Sequence, residues 1–129
     1  MSQIFKFRAW DKDLKRFRRI IQLIFLAGEL KQILVGDGNQ IPIKLNLSEF
    51  ELMQFTGLLD KNGVEIYEGD ILVCREMHDS NLDYWQNNEA VPFEVSWCET
   101  GWVIPSRDEL LNFEIIGNIY EHPHLLEKP

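Results

Sequence analysis

The chain has 129 residues, of which 45% are hydrophobic and 26% are charged. This composition is typical of an ordered globular protein and excludes a disordered chain. The length fits one domain with its own hydrophobic core. The formal net charge of -8 disfavours non-specific nucleic-acid binding by the molecule as a whole.

The charge is distributed unevenly along the chain. Residues 1–32 carry eight Lys or Arg against three Asp or Glu, a balance of +5, whereas the remaining residues carry five against eighteen, a balance of -13. The simplest interpretation is that the basic segment packs near the acidic remainder of its own fold or of a neighbouring subunit. A local basic patch that binds phosphate groups stays open as an alternative.

The sequence also bears on the cellular compartment. Cys74 and Cys98 are too few for a disulfide framework and are expected to be reduced, semi-buried thiols. The first ten residues alternate charged and aromatic side chains, so they lack the apolar core of an export signal. The longest apolar stretch, Ile20 to Ala27, has eight residues, whereas a membrane span needs about 20. A cytoplasmic protein without a membrane partner is therefore predicted.

The N-terminal half shows strand patterns. Residues 4–10 alternate with a period of two, which predicts a half-buried strand. Residues 14–26 are ambiguous, because Leu14, Phe17, Ile21 and Ile24 are also spaced as on a helix. The isoleucine-rich second half and the turn at 27–29 favour two strands joined by a hairpin.

The central segment 57–73, GLLDKNGVEIYEGDILV, contains two turns. Asp60 to Gly63 is the first, in which Asn62-Gly63 suits a positive φ, and Glu68 to Asp70 is the second. Farther along, the polar residues 78–90 are predicted to form a long mobile loop. A hairpin over 93–104 and a final strand over 113–120 follow.

About nine short strands with turn signals between them predict a mainly β fold. We expect a single domain, 1–129, in two parts. Residues 1–56 form antiparallel N-terminal strands, and 57–129 form a small, SH3-like, partly open barrel. Few short helical turns are expected.

Three blocks of the chain resemble the YopX family of phage and prophage proteins. They are KFRAWDK at 6–12, ELMQFTGLLDKNGVEIYEGDIL at 51–72 and FEIIGNIYEHPHLL at 113–126. The resemblance implies a small cytoplasmic protein of a bacterial host cell, mostly from phages of Gram-positive bacteria. It implies no agreed active-site residues, so it assigns no catalytic role to any residue here.

The residues give little support to catalysis or metal binding. Carboxylates are plentiful, but no nucleophile motif accompanies a positioned histidine. The possible metal ligands are His78, Asp79 and Asp83 in one segment and His122 with His124 in another. Neither cysteine has a partner at the spacing that a zinc site needs. We therefore predict a protein that is not an enzyme and has no metal, no cofactor and no small-molecule substrate.

Two binding roles remain. Basic residues crowd 12–19 beside aromatic ones, and such side chains supply phosphate contacts and stacking surfaces for nucleic acid. The candidate nucleic-acid residues are Lys12, Lys15, Arg16, Arg18 and Arg19. Fifteen aromatic residues exceed what a core of this size requires, and aromatics dominate protein interfaces. The candidate interface residues are Trp10, Tyr84, Trp85 and Trp102.

Self-association is the leading functional prediction. Open strand edges and opposite charges within one chain both favour it. We predict a non-enzymatic, homo-oligomeric binding or assembly module of a phage or prophage. A nucleic-acid-associated accessory protein that uses the basic patch at 12–19 is the alternative.

Overall fold

The computed structural model of the protein describes residues 5–127, apart from the side chain of Ser80. Throughout this range the strands pair antiparallel, and the helical segments are 3-10 turns of three to six residues. The predicted mainly β fold with a few short helical turns is confirmed. The strands are β1 (Phe7–Asp11), β2 (Arg16–Arg18), β3 (Ile20–Leu26), β4 (Glu29–Val35), β5 (Ile43–Asn46), β6 (Phe50–Leu59), β7 (Glu65–Tyr67), β8 (Asp70–Cys74), β9 (Trp85–Gln86), β10 (Glu89–Ala90), β11 (Phe93–Glu94), β12 (Ser96–Cys98), β13 (Gly101–Val103) and β14 (Phe113–Asn118).

The chain divides into two compact units, Met1–Gln54 and Phe55–Pro129, here called the N-terminal and the C-terminal unit. Strand β6 belongs to both, since residues 50–54 pair with β1 while Phe55 and Leu59 pair with β7. The register shifts between these last two residues, where Gly57 has a φ of +85°. Glycine adopts this left-handed conformation without steric cost. The single-domain organisation stays a prediction.

The N-terminal unit is built on two antiparallel arrangements. Strand β1 lies between β2 and β6, and β4 lies between β3 and β5. Alternate residues of these strands are buried together, as the period-two pattern predicts. The resulting core consists of Ala9, Ile33, Val35, Leu45 and Phe50.

The hairpin between β3 and β4 settles the ambiguity over residues 14–26 in favour of strands. Leu26 pairs with Glu29, so the connection has two residues, Ala27 and Gly28, one fewer than the sequence suggested. Their φ values are 53° and 83°. Two consecutive left-handed residues match the right-handed twist of a tight hairpin.

The C-terminal unit is centred on β8, whose five residues are all buried. Strands β11 and β14 flank it. Beside it lie two small hairpins, β9–β10 and β12–β13. The core of this unit is the buried cluster Ile66, Leu72, Cys74, Val95, Leu110 and Phe113.

The central segment 57–73 acts as scaffold through its turn side chains. The buried carboxylate of Asp60 accepts hydrogen bonds from the backbone N–H groups of Asn62 at 2.8 Å, Val64 at 3.0 Å and Ile115 at 3.1 Å. In the second turn, Asp70 accepts one from the N–H of Tyr67 at 2.8 Å. These bonds satisfy backbone donors in and beside the two turns. A structural role therefore accounts for an aspartate at both positions.

Several local predictions are wrong. Residues 78–90 form a 3-10 turn, Asp79–Tyr84, followed by the β9–β10 hairpin, and not a plain loop. Its tip, Asn87-Asn88, is left-handed at both residues. The alternation of apolar and polar residues over 4–10 and 93–98 predicts that Phe5 and Trp97 lie in the core, but they are 71% and 60% exposed. Ile4 of the predicted first strand lies outside the described residues.

Candidate macromolecule-binding site

An open groove of ≈ 580 Å³ lies on the N-terminal unit, lined by residues 5–8 and 18–23. We call it the basic groove. It forms where the chain leaves one sheet and enters the next: β2 ends at Arg18, opposite Ala9, and β3 begins two residues later. Phe7 and Arg8 therefore extend past the end of β2 and pair with β6 alone.

Two strand edges border the basic groove. Among the strands that the structure describes, β3 has a partner on one side only, and the start of β1 likewise. An edge of this kind presents backbone N–H and C=O groups that can pair with another extended chain. The groove is thus suited to an extended ligand.

The side chains of the basic groove are cationic or apolar, apart from Gln22. Its basic members are Lys6, Arg8, Arg18 and Arg19, and none of the lining residues is acidic. Phe5 is 71% exposed and Ile21 52% exposed. A macromolecule with negative charges and apolar or planar groups matches this combination.

Arg18 is locked into the fold and is not available to a ligand. It is 6% exposed. Its guanidinium donates to Asp11 Oδ2 at 2.8 Å and to Asp37 Oδ2 at 2.7 Å. Burial raises the pKa of Asp11, but hydrogen bonds from Leu14 N–H, Arg18 and Asp13 N–H outweigh it, so the pKa lies below the usual value. For Asp37, too, bonds to Arg18 and the backbone of Arg19 outweigh burial and lower the pKa.

The structure divides the predicted basic patch into paired and unpaired residues. Lys12 forms an ion pair with Glu51 at 3.0 Å, and Arg16 forms one with Asp37 at 3.4 Å. The side chains of Lys15 and Arg19 are exposed and make no ion pair within residues 5–127. Of the five, Arg18 and Arg19 line the basic groove. The nucleic-acid role of the five stays a prediction, and Arg19 is the exposed member that lines the groove.

The aromatic residues near the patch are occupied by one another. The Arg8 guanidinium lies 4.4 Å from the centre of the Phe17 ring. Phe17 contacts Trp10 edge to face, with ring centres 5.1 Å apart. Trp10 is 7% exposed, so little of its ring is left for a partner. Lys6 and Arg8 are not among the binding residues predicted from the sequence, although their alternation with Phe5 and Phe7 indicates that they share one face of the first strand.

The other three candidate interface residues lie in the C-terminal unit and are half-buried. Tyr84 packs on Phe93 and Phe113, with ring centres 4.8 and 4.9 Å away. Burial, reinforced by the nearby charges of Glu109 and Asp83, raises its pKa. The indole Nε1 of Trp85 is buried without a hydrogen-bond partner in the described part of the chain. Their interface role stays a prediction.

Strands β12 and β13 form what we call the tryptophan hairpin, residues 96–103. Trp97 pairs with Trp102 across the strands, and their rings meet edge to face at 4.8 Å. Trp97 is the more exposed of the two. No third strand within the described range pairs with this hairpin. It therefore presents an aromatic surface and open backbone edges.

Cys98 lies beside Trp97 in the tryptophan hairpin and is exposed, contrary to the expected semi-burial, whereas Cys74 is buried. Hydrogen bonds from the Thr100 hydroxyl and backbone, with a further one from Gly101, lower the pKa of the Cys98 thiol.

The candidate metal ligands do not converge. In the range 5–127 no three His, Cys, Asp or Glu side chains form a group that could hold a metal ion. His122 Nδ1 instead accepts the N–H of Asn118 at 3.3 Å. None of the helices described is long and apolar enough to cross a bilayer.

The two units carry opposite charge. Residues 1–54 have nine Lys or Arg and six Asp or Glu, a balance of +3, and residues 55–129 have four and fifteen, a balance of -11. The sign of the charge asymmetry in the sequence thus carries over to the two structural units.

The strand pairing and the short 3-10 turns define a small antiparallel β protein. The chain matches the family model described as YopX protein over residues 6–127, and it belongs to the YopX family. All three blocks of resemblance lie inside the matched range. The chain is also similar to the crystal structure of protein EF1440 from Enterococcus faecalis, with a TM-score of 0.72 and 28% sequence identity over 98% of this chain and 100% of that one. No curated protein matches the chain.

Proposed function

We propose that the protein is a non-enzymatic module that assembles with further copies of itself through surfaces of opposite charge. It acts in the cytoplasm of a bacterial host cell as a phage or prophage protein, in line with the family resemblance. The observation that carries the proposal is the charge separation, +3 in the N-terminal unit and -11 in the C-terminal unit. Opposite charges on one chain steer copies together and fix their orientation.

The basic groove supports this proposal. It places Arg19 and the apolar side chains of Phe5 and Ile21 on one surface, next to two open strand edges. Apolar contacts supply binding energy, and the cations select an acidic partner. The C-terminal unit of a second copy meets the charge requirement.

Light scattering coupled to gel filtration tests the assembly. Because the attraction is electrostatic, we expect multimers at about 50 mM salt that weaken at about 500 mM, where the screening length is several-fold shorter. A monomer at every salt and protein concentration would overturn the proposal.

A matched pair of variants locates the surface. Arg19→Glu reverses a charge in the basic groove, whereas Lys44→Glu makes the same change at an exposed position of β5 that does not line it. We expect Arg19→Glu to reduce the multimer fraction and Lys44→Glu to leave it close to that of the unmodified protein. Equal effects would mean that net charge, and not the groove, controls assembly.

Binding of single-stranded nucleic acid is the second candidate. The specific observation in its favour is that Lys6, Arg8 and Arg19 line the same groove as the exposed ring of Phe5, because phosphate contacts and a stacking surface are the parts such binding needs. Retardation of labelled single-stranded DNA and RNA tests it. Retardation that falls with salt and is lost in Arg19→Glu would favour this function over self-assembly.

A further inference from the structure

We propose that the tryptophan hairpin of a second copy is the partner of the basic groove, so that copies join head to tail. This inference rests on the proposed function, because it names the surface that the assembly uses. The two surfaces match in shape, in charge and in the strand edges that they expose.

Trp97 is an exposed ring that fits the basic groove in size. A 60% exposed tryptophan leaves a large apolar area in water, and its burial on a partner is favourable. Its ring is held by the edge-to-face contact with Trp102, so little side-chain freedom is lost on binding. The basic groove has a volume of ≈ 580 Å³ and apolar side chains at Phe5, Ile21 and Leu23, which suits a ring of this size.

Acidic residues lie near Trp97 in the sequence. Glu99 lies at the exposed turn of the tryptophan hairpin, and Glu94 lies shortly before it in β11. The basic groove offers the exposed side chain of Arg19, and none of its lining residues is acidic. Complementary signs on the two surfaces favour this pairing and disfavour groove-to-groove contact.

Both the basic groove and the tryptophan hairpin expose strand edges. Among the described strands, β3 has a partner strand on one side only where it borders the groove, and the two strands of the hairpin pair with no third strand. Extended segments in this situation can add to a sheet edge, which gives main-chain hydrogen bonds in addition to side-chain contacts.

The symmetry of such an assembly follows from the two surfaces. Groove and hairpin are different parts of the chain, so the contact is heterologous. Until the assembly closes, one terminal copy keeps a free groove and the other terminal copy keeps a free hairpin. The product is a closed ring, whose smallest form is a reciprocal two-fold dimer, or an open filament.

Three variants test the proposal, measured by light scattering under reducing conditions at low salt. Arg19→Glu disables the groove, Trp97→Ser removes the ring, and Glu99→Lys reverses the charge at the hairpin turn. We expect Trp97→Ser to weaken association by about thirtyfold, the size of an interface hot spot. Glu89→Lys, an exposed acidic position of β10 outside the hairpin, is the matched control and should associate normally. Circular dichroism checks that each variant is folded.

Mixing gives the decisive result. A variant with a defective groove still has a functional hairpin, and one with a defective hairpin still has a functional groove. Equal amounts of Arg19→Glu and Trp97→Ser are mixed at a concentration at which each variant alone is monomeric. The mixture should form a dimer that grows no further. The double variant R19E/E99K should recover assembly, because the reversed charges attract again.

The outcomes separate the two proposals. If the unmodified protein assembles and both hairpin variants assemble equally well, the hairpin is not the partner and the proposed function stands. If the unmodified protein is monomeric, both proposals fail. A monomer that binds oligonucleotides through Arg19 would overturn both in favour of the nucleic-acid function.

Discussion

Arg18 holds two aspartates together inside the N-terminal unit. Asp11 and Asp37 both accept hydrogen bonds from its guanidinium, at 2.8 and 2.7 Å. Asp11 also accepts the backbone N–H groups of Asp13 and Leu14, each at 3.0 Å. Loss of the Asp11 charge leaves the buried Arg18 guanidinium with Asp37 as its one carboxylate partner among these two, and it removes a charged acceptor from two backbone N–H groups, which is destabilising.

This arrangement predicts a pH-dependent stability. The pKa of Asp11 in the folded protein lies below its ordinary 3.8, so the unfolded chain takes up this proton at a higher pH than the folded protein does. The stabilisation is therefore fully present above the ordinary pKa and is lost as the pH falls through the lower, folded pKa. We expect the free energy of unfolding, measured with urea, to decrease between about pH 5 and about pH 3.

The variant Asp11→Asn tests the assignment. At neutral pH it should lower the free energy of unfolding by roughly 2 kcal/mol, the usual contribution of hydrogen bonds to a charged group, and its dependence on acid pH should be smaller than that of the unmodified protein. Asp13→Asn removes an exposed carboxylate whose side chain makes no hydrogen bond in the described part of the chain, so it should change little. An identical acid profile for Asp11→Asn would contradict the prediction.

The same residues show how far a sequence predicts a site. The charges at 12–19 are evident, and they suggested a continuous basic patch. Their partners are not evident, since Asp37 and Glu51 lie 19 and 39 residues from the side chains that they pair with. Strand register brings them together, and register is a property of the fold. The basic groove was missed for the same reason.

The β3–β4 hairpin turns on two left-handed residues, Ala27 and Gly28. A Cβ added at Gly28 would meet nothing within 4 Å, so a substitution there changes backbone energy alone. We expect Gly28→Ala to lower the free energy of unfolding by about 1 kcal/mol, the usual cost of a left-handed residue with a side chain. Urea unfolding followed by circular dichroism measures this.

Ala27→Gly is the matched reverse change. Ala27 already bears that cost at a φ of 53°, so its replacement by glycine should be neutral or stabilising, in spite of the added freedom of the unfolded chain. A loss of stability as large as that of Gly28→Ala would mean that the turn conformation is not what limits the hairpin.

Elements were predictable where side-chain pattern and turn chemistry agreed. Residues 20–35 are rich in isoleucine and leucine around a glycine turn, and both strands were found. Residues 78–90 are polar and show no strand pattern. Their order comes from asparagine side chains, such as Asn81, whose amide donates to the Glu76 carbonyl at 3.0 Å and whose oxygen accepts the His78 N–H at 2.8 Å.

At the scale of the molecule, β6 is a single ten-residue strand with an irregularity near Gly57, and it pairs with β1 in the N-terminal unit and with β7 in the C-terminal unit. Loss of either ladder removes support from the same strand. We therefore expect the whole chain to unfold in a single transition, as the single-domain prediction requires.

Tryptophan fluorescence can follow each unit. A variant with Trp85, Trp97 and Trp102 replaced by phenylalanine reports on Trp10 alone, and Trp10→Phe reports on the C-terminal unit. In each variant, the urea midpoints from fluorescence and from circular dichroism should coincide. Midpoints that differ within one variant would show that the units unfold separately.

The fold class was predictable at this scale, because it depends on the number of strands and turns and not on their order. The opposite charges of the two halves were equally evident in the sequence. The binding surfaces were not, since the exposure of Phe5 and Trp97 depends on which residues cover them. A hydrophobic residue in an alternating strand is expected inside, and here two of them lie outside.

The contrast between the two thiols has a practical consequence. Cys98 is exposed, with a lowered pKa, and Cys74 is buried, so a maleimide dye would attach selectively to the tryptophan hairpin at mild pH. Without reductant the same sulfur would cross-link copies through air oxidation and mimic an assembly. The chain thus carries both a ready-made attachment point for a probe and a source of artefact at one atom.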